Sequence, residues 1–100
     1  MRKCDVIIPI YNAYDALKEC IETVICNTNL KEDRLILIND KSTDERISSL
    51  LNKVKDENKE KDIVILTNEN NLGFVGSVNR GMKYSDNDVL LLNSDTEVYG

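Results

Sequence analysis

The chain has 100 residues, 41% of them hydrophobic and 31% charged, with a formal net charge of −5 at pH 7. That length fits one small domain, and Ile, Leu and Val recur in compact clusters rather than diluted by charge, which excludes a disordered chain. The negative charge argues against nucleic acid as a partner, because it repels phosphate backbones. An anionic nucleotide would need a divalent cation beside it.

Histidine is absent, which removes His-based triads and His-ligated zinc from this segment. Cys4, Cys20 and Cys26 form no close pair and are expected to be reduced, mostly buried thiols of a cytoplasmic protein. The apolar run after Met1-Arg2-Lys3 is too short for a signal peptide or a membrane span. The segment is expected to be soluble, with any membrane association coming from elsewhere.

Residues 4–9 (CDVIIP) read as a buried strand. Asn12 is placed to cap a helix whose apolar positions are Leu17, Ile21, Val24 and Ile25. Residues 34–39 (RLILIN) form a second strand. Ser42 and Glu45 have capping-box spacing ahead of a second helix with the stripe Ile47, Leu50, Leu51 and Val54. Residues 53–62 are a mixed charge run, read as a solvated helix end and loop. Residues 62–67 (DIVILT) are a third strand, residues 73–84 a loop passing into a helix, and residues 88–92 (DVLLL) a fourth strand. The order βαβαβαβ predicts an α/β fold, an open parallel sheet with flanking helices and right-handed crossovers. The fourth strand is apolar on both faces, which predicts a central position. A chain ending just past such a strand is expected to continue in the natural protein. As an edge, that strand would offer a pairing surface for a homo-oligomer.

In open parallel sheets ligands bind at the carboxyl ends of the strands. Here those ends carry Ile10, Tyr11 and Asn12, then Asp40, Lys41 and Ser42, then residues 68–71 and Gly73, then Asn93, Ser94 and Asp95. Polar loop residues also serve as turns and caps, so each taken singly has a structural reading as well. No GxGxxG follows the first strand and no GxxxxGK[ST] is present, which argues against a dinucleotide Rossmann site and a P-loop.

Four blocks carry a resemblance. They are residues 6–12 (VIIPIYN), residues 39–44 (NDKSTD), residues 71–81 (NLGFVGSVNRG) and residues 91–98 (LLNSDTEV). Together, in this order and spacing, the chain resembles the nucleotide-binding front portion of the inverting glycosyltransferase family 2, which has the GT-A, Rossmann-like fold. The Asn-x-Asp-Thr form is similar to its rhamnosyltransferase-like branch. The resemblance covers nearly the whole chain and implies a single domain portion, residues 1–100, cut off after a DxD-like motif.

What the resemblance implies is a UDP-sugar or dTDP-sugar donor and a saccharide or lipid-linked acceptor, at the cytoplasmic face of a bacterial envelope pathway. Pro9, Tyr11 and Asn12 would line the nucleotide pocket, with Tyr11 packing on base or ribose. Asp40 would accept from the imide N–H of uracil or thymine, a donor that cytosine and adenine lack. Gly73 would allow close approach to the nucleotide. Asn93 and Ser94 would bind near the donor, and Asp95 would hold Mg2+ or Mn2+ against the diphosphate. The chain departs from the family at Asn93, where the first Asp of DxD stands, and at Asn39, where Asp is common. No catalytic base is assigned: in the family it lies downstream, so this segment alone is expected to be inactive, and nothing places Asp88 or Glu97 at an acceptor.

Two other classes fit the strand ends less well. A nucleotidyltransferase would carry a Gly-rich basic loop after the first strand, where this chain has Ile10-Tyr11-Asn12-Ala13. A receiver-like interaction module would need an Asp after the third strand, where Thr67-Asn68 stands. A non-catalytic α/β nucleotide-binding or interaction module remains the alternative that nucleotide binding would separate.

Overall fold

The structure is a computed structural model that describes residues 4–27, 33–85 and 88–92. Its elements are β1 (Cys4–Ile10), α1 (Tyr14–Asn27), β2 (Arg34–Asn39), α2 (Glu45–Glu57), β3 (Ile63–Thr67), α3 (Gly73–Tyr84) and β4 (Asp88–Leu91). They form one parallel four-stranded sheet in the order β3-β2-β1-β4, the α/β class that the sequence predicts.

Alternation along the strands builds two cores. Val6, Ile8 and Ile10 of β1, with Leu35 and Leu37 of β2, face the layer formed by α1 and α2. That layer supplies Leu17, Ile21 and Val24, and Ile47, Leu50, Leu51 and Val54, the periodic positions of the two helices. Ile7, Ile36 and Ile38 face the other way, with Val64, Leu66 and Val89 beside them. Helix α3 lies on this second face. A Cβ at Gly81 would stand 2.7 Å from Ile38 Cδ1 and 2.9 Å from Ile7 Cγ2, so glycine sets how closely the helix sits. Each fully buried Ile or Leu contributes roughly 1.5–3 kcal/mol, and β1 and β2 hold most of them.

The chain steps from β1 through β2 to β3 with its helices on one face. Then α3 carries it back across the opposite face to the far side of β1. The reversal in strand order falls between β1 and β4, which marks the carboxyl end of β1 as the crevice. Pro9 sits in this central strand without breaking the sheet. It shares the phase of Ile7, whose carbonyl faces β4 and accepts Leu92 N–H at 2.9 Å, and the β1–β4 register runs only from Cys4 to Ile7. Its missing N–H therefore removes no bond of that ladder.

The amino end of the sheet is pinned by charge. Asp5 is fully buried and takes two bonds from one guanidinium, Arg34 Nε at 3.0 Å and Nη2 at 2.9 Å. The Ser85 hydroxyl also donates to it, and Arg34 lies 5.1 Å from the centre of the Tyr84 ring. The carboxyl end of α3 is thus tied to the sheet.

The fourth strand lies at an edge among the described residues, with Leu90 51% and Leu91 41% exposed. Four expectations are corrected. Asn12 does not cap α1; its side chain bonds the turn after β2. The cap of α2 is Asp44, which accepts from Arg46 N–H at 3.0 Å, while Ser42 accepts from Asn12 N–H, so the capping box does not form. Residues 73–84 are helical from the first residue, with no preceding loop portion. The thiols are free but not mostly buried: Cys4 and Cys20 are half-buried and Cys26 is exposed on the solvent side of α1. Burial pushes the Cys20 thiol up, and burial with the nearby Asp33, Asp5 and Asp88 carboxylates does the same for Cys4. Among the described residues, no helix is long and apolar enough to cross a membrane.

Candidate functional site

Two backbone bonds extend the ladder one step past the strands. Asp40 N–H donates to Ile10 O at 2.7 Å, and Asn68 N–H donates to Asn39 O at 2.9 Å. These bonds hold Asp40 and Asn68 in extended phase, so both side chains turn to the α3 face, where they are 6% and 3% exposed.

Asp40 is the centre of the cluster. Its Oδ1 accepts Leu72 N–H at 2.6 Å and Asn68 Nδ2 at 2.8 Å, and its Oδ2 accepts Gly73 N–H at 3.0 Å. Asn71 Nδ2 binds the Asp40 carbonyl at 2.5 Å, and beside the carboxylate Ser77 Oγ accepts from Asn68 Nδ2 at 3.0 Å. The first N–H groups of a helix have no partner of their own, and negative charge is favoured there. Leu72 holds the cap position of α3 and gives no side-chain cap bond. Asp40 fills that role from a different strand. Burial pushes its pKa up, but the bonds from Leu72, Asn68, Gly73 and Ser77 outweigh burial and hold it below the ordinary carboxylate range. Asp40 is therefore ionised at neutral pH.

Gly73 makes this possible. Its φ of +77° lies in the left-handed region, and there its N–H reaches Asp40. Nothing stands within 4 Å of where its Cβ would be, so the space beside it is open.

The turns after β1 and β2 are strained and clamped together. Asn12, Ala13 and Lys41 all have φ near +53° to +54°, a region that costs a non-glycine residue about 1–2 kcal/mol. Asn12 Nδ2 donates to Thr43 Oγ1 at 3.1 Å, its Oδ1 accepts Asp44 N–H at 2.9 Å, and its N–H donates to Ser42 Oγ at 2.9 Å. Ser42 N–H in turn binds Asn39 Oδ1 at 2.9 Å. Backbone strain that the surroundings hold in place gathers at functional sites. Beside this clamp Tyr11 is 53% exposed, an aromatic surface facing solvent next to the crevice.

Of the residues singled out from sequence, Pro9, Tyr11, Asn12, Asp40 and Gly73 gather at one end of the sheet. Pro9 is buried. Asn93, Ser94 and Asp95 lie outside the described residues. Among the described residues, no three His, Cys, Asp or Glu side chains are placed to hold a metal ion. Sequence reasoning named Asn68 only among the residues that follow β3, and missed Ser77 and Arg80. Ser77 is fully buried and could have been noticed as a polar residue on the inward stripe of α3.

The comparison with known families decides the reading. The model for glycosyl transferase family 2 matches residues 5–99. The chain belongs to that family. Among curated relatives, a poly(ribitol-phosphate) β-glucosyltransferase of Bacillus spizizenii is 32% identical over 96 residues, which is 93% of this chain and 15% of that protein. A mannosyltransferase of Pyrobaculum calidifontis, solved with GDP-Man and Mn2+, matches the fold with a TM-score of 0.84 at 14% identity, over 94% of this chain and 28% of its own. Residues 1–349 of TarS from S. aureus, solved with UDP-GlcNAc, match with a TM-score of 0.73 at 23% identity, over 93% and 26%. This family 2 chain thus has the GT-A sheet order and spans well under a third of each of these relatives. A hollow of about 430 Å³ at the opposite end of the sheet, lined by Asn52, Lys55, Asp56, Lys59 and Lys61, lies away from the crevice that the family fold points to.

Proposed function

We propose that this family 2 domain binds the nucleoside diphosphate of a UDP-sugar or dTDP-sugar at the carboxyl ends of β1 and β2. The observation that carries the reading is a buried, ionised carboxylate, Asp40, beside the carboxyl end of β1, with the exposed ring of Tyr11 on the adjoining turn. Tyr11 stacks on base or ribose, and Asn12 and Pro9 shape the turn beneath. Asp40 accepts the imide N–H of uracil or thymine. Three protein N–H groups already donate to it, which leaves one acceptor position for the base.

The diphosphate falls to Asn93, Ser94 and Asp95, with Asp95 as the ligand of Mg2+ or Mn2+. That cation would act as a Lewis acid on the departing diphosphate. The complete enzyme, of the rhamnosyltransferase-like branch, transfers a hexose with inversion to a saccharide or lipid-linked acceptor at the inner face of the membrane. Its general base comes from sequence beyond this segment. The relatives solved with GDP-Man and UDP-GlcNAc support a nucleotide-sugar site on this frame.

Calorimetric titration with UDP and dTDP, with and without Mn2+, tests this beside an Asp95→Ala variant. The expected result is binding that Mn2+ strengthens in the wild type and leaves unchanged in the variant. Equal enhancement by Mn2+ in both would remove Asp95 from the metal.

A further inference from the structure

Asp40 does not stand alone beneath α3. Asn68, 3% exposed, lies between it and a cation: Arg80 Nη1 donates to Asn68 Oδ1 at 2.6 Å, and Asn68 Nδ2 donates to Asp40 Oδ1 at 2.8 Å and to Ser77 Oγ at 3.0 Å. The two charges fix which way this amide points. Reversed, it would set N–H groups against a guanidinium and an oxygen against a carboxylate, and both contacts would repel. Helix α3 carries Arg80 and Lys83 and no acidic residue, so nothing on its own helix competes for the guanidinium.

We infer that Arg80 and Asn68 are positioning residues for base recognition: the guanidinium orients the Asn68 amide, and the amide holds the Asp40 carboxylate in the place where it accepts a base imide. This rests on the reading of Asp40 as the base-reading group. Bonds in such a chain polarise one another, so the Arg80 charge is felt at Asp40 through a neutral side chain. Asn68 and the Leu72 and Gly73 amides hold three of its acceptor positions and fix its direction.

The test is the ratio of UDP to CDP affinity, since cytosine offers a lone pair where uracil offers the N–H. A change in fold stability alone moves both affinities together; a misdirected carboxylate moves the ratio. Arg80→Gln, Arg80→Lys and Asn68→Leu are compared with the wild type and with Asp40→Asn, each first checked for cooperative thermal unfolding. The wild type prefers UDP by about tenfold or more, as expected for a hydrogen bond to a charged group. Arg80→Gln and Asn68→Leu lose most of that preference, and Arg80→Lys, still cationic but without the planar fork, regains part of it. If Asp40→Asn changes the ratio while folded Arg80→Gln keeps it, the relay is wrong and the base reading stands. Should Asp40→Asn leave the ratio unchanged, or the wild type bind neither nucleotide, the base reading falls and takes the relay with it.

Discussion

Asp5 and Asp40 are buried on the same face of the sheet, at opposite ends of it, under the two ends of one helix. Asp5 is met by a full positive charge, the forked guanidinium of Arg34, with the Ser85 hydroxyl beside it. Asp40 is met by amide N–H groups, and the nearest cation in its network acts one residue removed, through Asn68. A carboxylate neutralised by its own ion pair is finished as a structural joint. One stabilised by dipoles keeps its charge for something that arrives later. On the proposed reading, the same residue type on the same layer serves architecture at the amino end and recognition at the carboxyl end.

The sharpest way to break the contrast is to remove the cation at the amino end. Arg34→Met leaves Asp5 fully buried with its ion pair gone, and removing one partner of a buried pair costs about 3–5 kcal/mol. A large drop in urea midpoint with nucleotide affinity per folded molecule unchanged is the expected result. Asp40→Ala, by contrast, strips an acceptor from the Leu72 and Gly73 amides and from Asn68, with an expected loss of about 2 kcal/mol in the same assay, together with loss of UDP binding. Gly73→Ala is smaller again. The left-handed φ costs an alanine about 1–2 kcal/mol, and because the space there is open the loss comes from backbone strain alone. Thermal melts of Gly73→Ala and Gly73→Asn separate these, since Asn tolerates that region better.

The smallest effect concerns acid. Hydrogen bonds hold the Asp40 carboxyl below its ordinary value, so its share of stability is present above about pH 4 and is lost as pH falls through its lower folded value. Asp40→Asn should then lose less stability than the wild type between about pH 5 and pH 2. Asp44 contributes acid sensitivity of the same sign, because the Arg46 hydrogen bond holds it down, so the variant retains part of the slope. Urea midpoints at the two pH values measure the difference.

The fold was legible because its signals are local. The strand at Arg34–Asn39 and the stripe Ile47, Leu50, Leu51 and Val54 are fixed by periodicity within a few residues. Asp40 was legible as a strand-end carboxylate inside a recognisable turn. Its partners were not, because Leu72 and Gly73 lie more than thirty positions away and meet it only once β3 has paired with β2. The misplaced caps have the same origin. Asn12, Ser42 and Asp44 each suit a helix start by residue type, and the crossing of two turns decides which of them caps. Position within the sheet was the least legible feature, since the apolarity of β4 does not reveal which strand it joins.

The most direct test of Asp40 as the base-reading group is an amide-shift titration of the isotope-labelled chain with UDP and, separately, CDP. The account predicts that UDP shifts the Leu72 and Gly73 backbone amides and the Asn68 side-chain amide, the groups bonded to the Asp40 carboxylate, and that CDP leaves them in place. Shifts gathered instead around Asn52, Lys55 and Lys59, or equal shifts with both nucleotides, would contradict it.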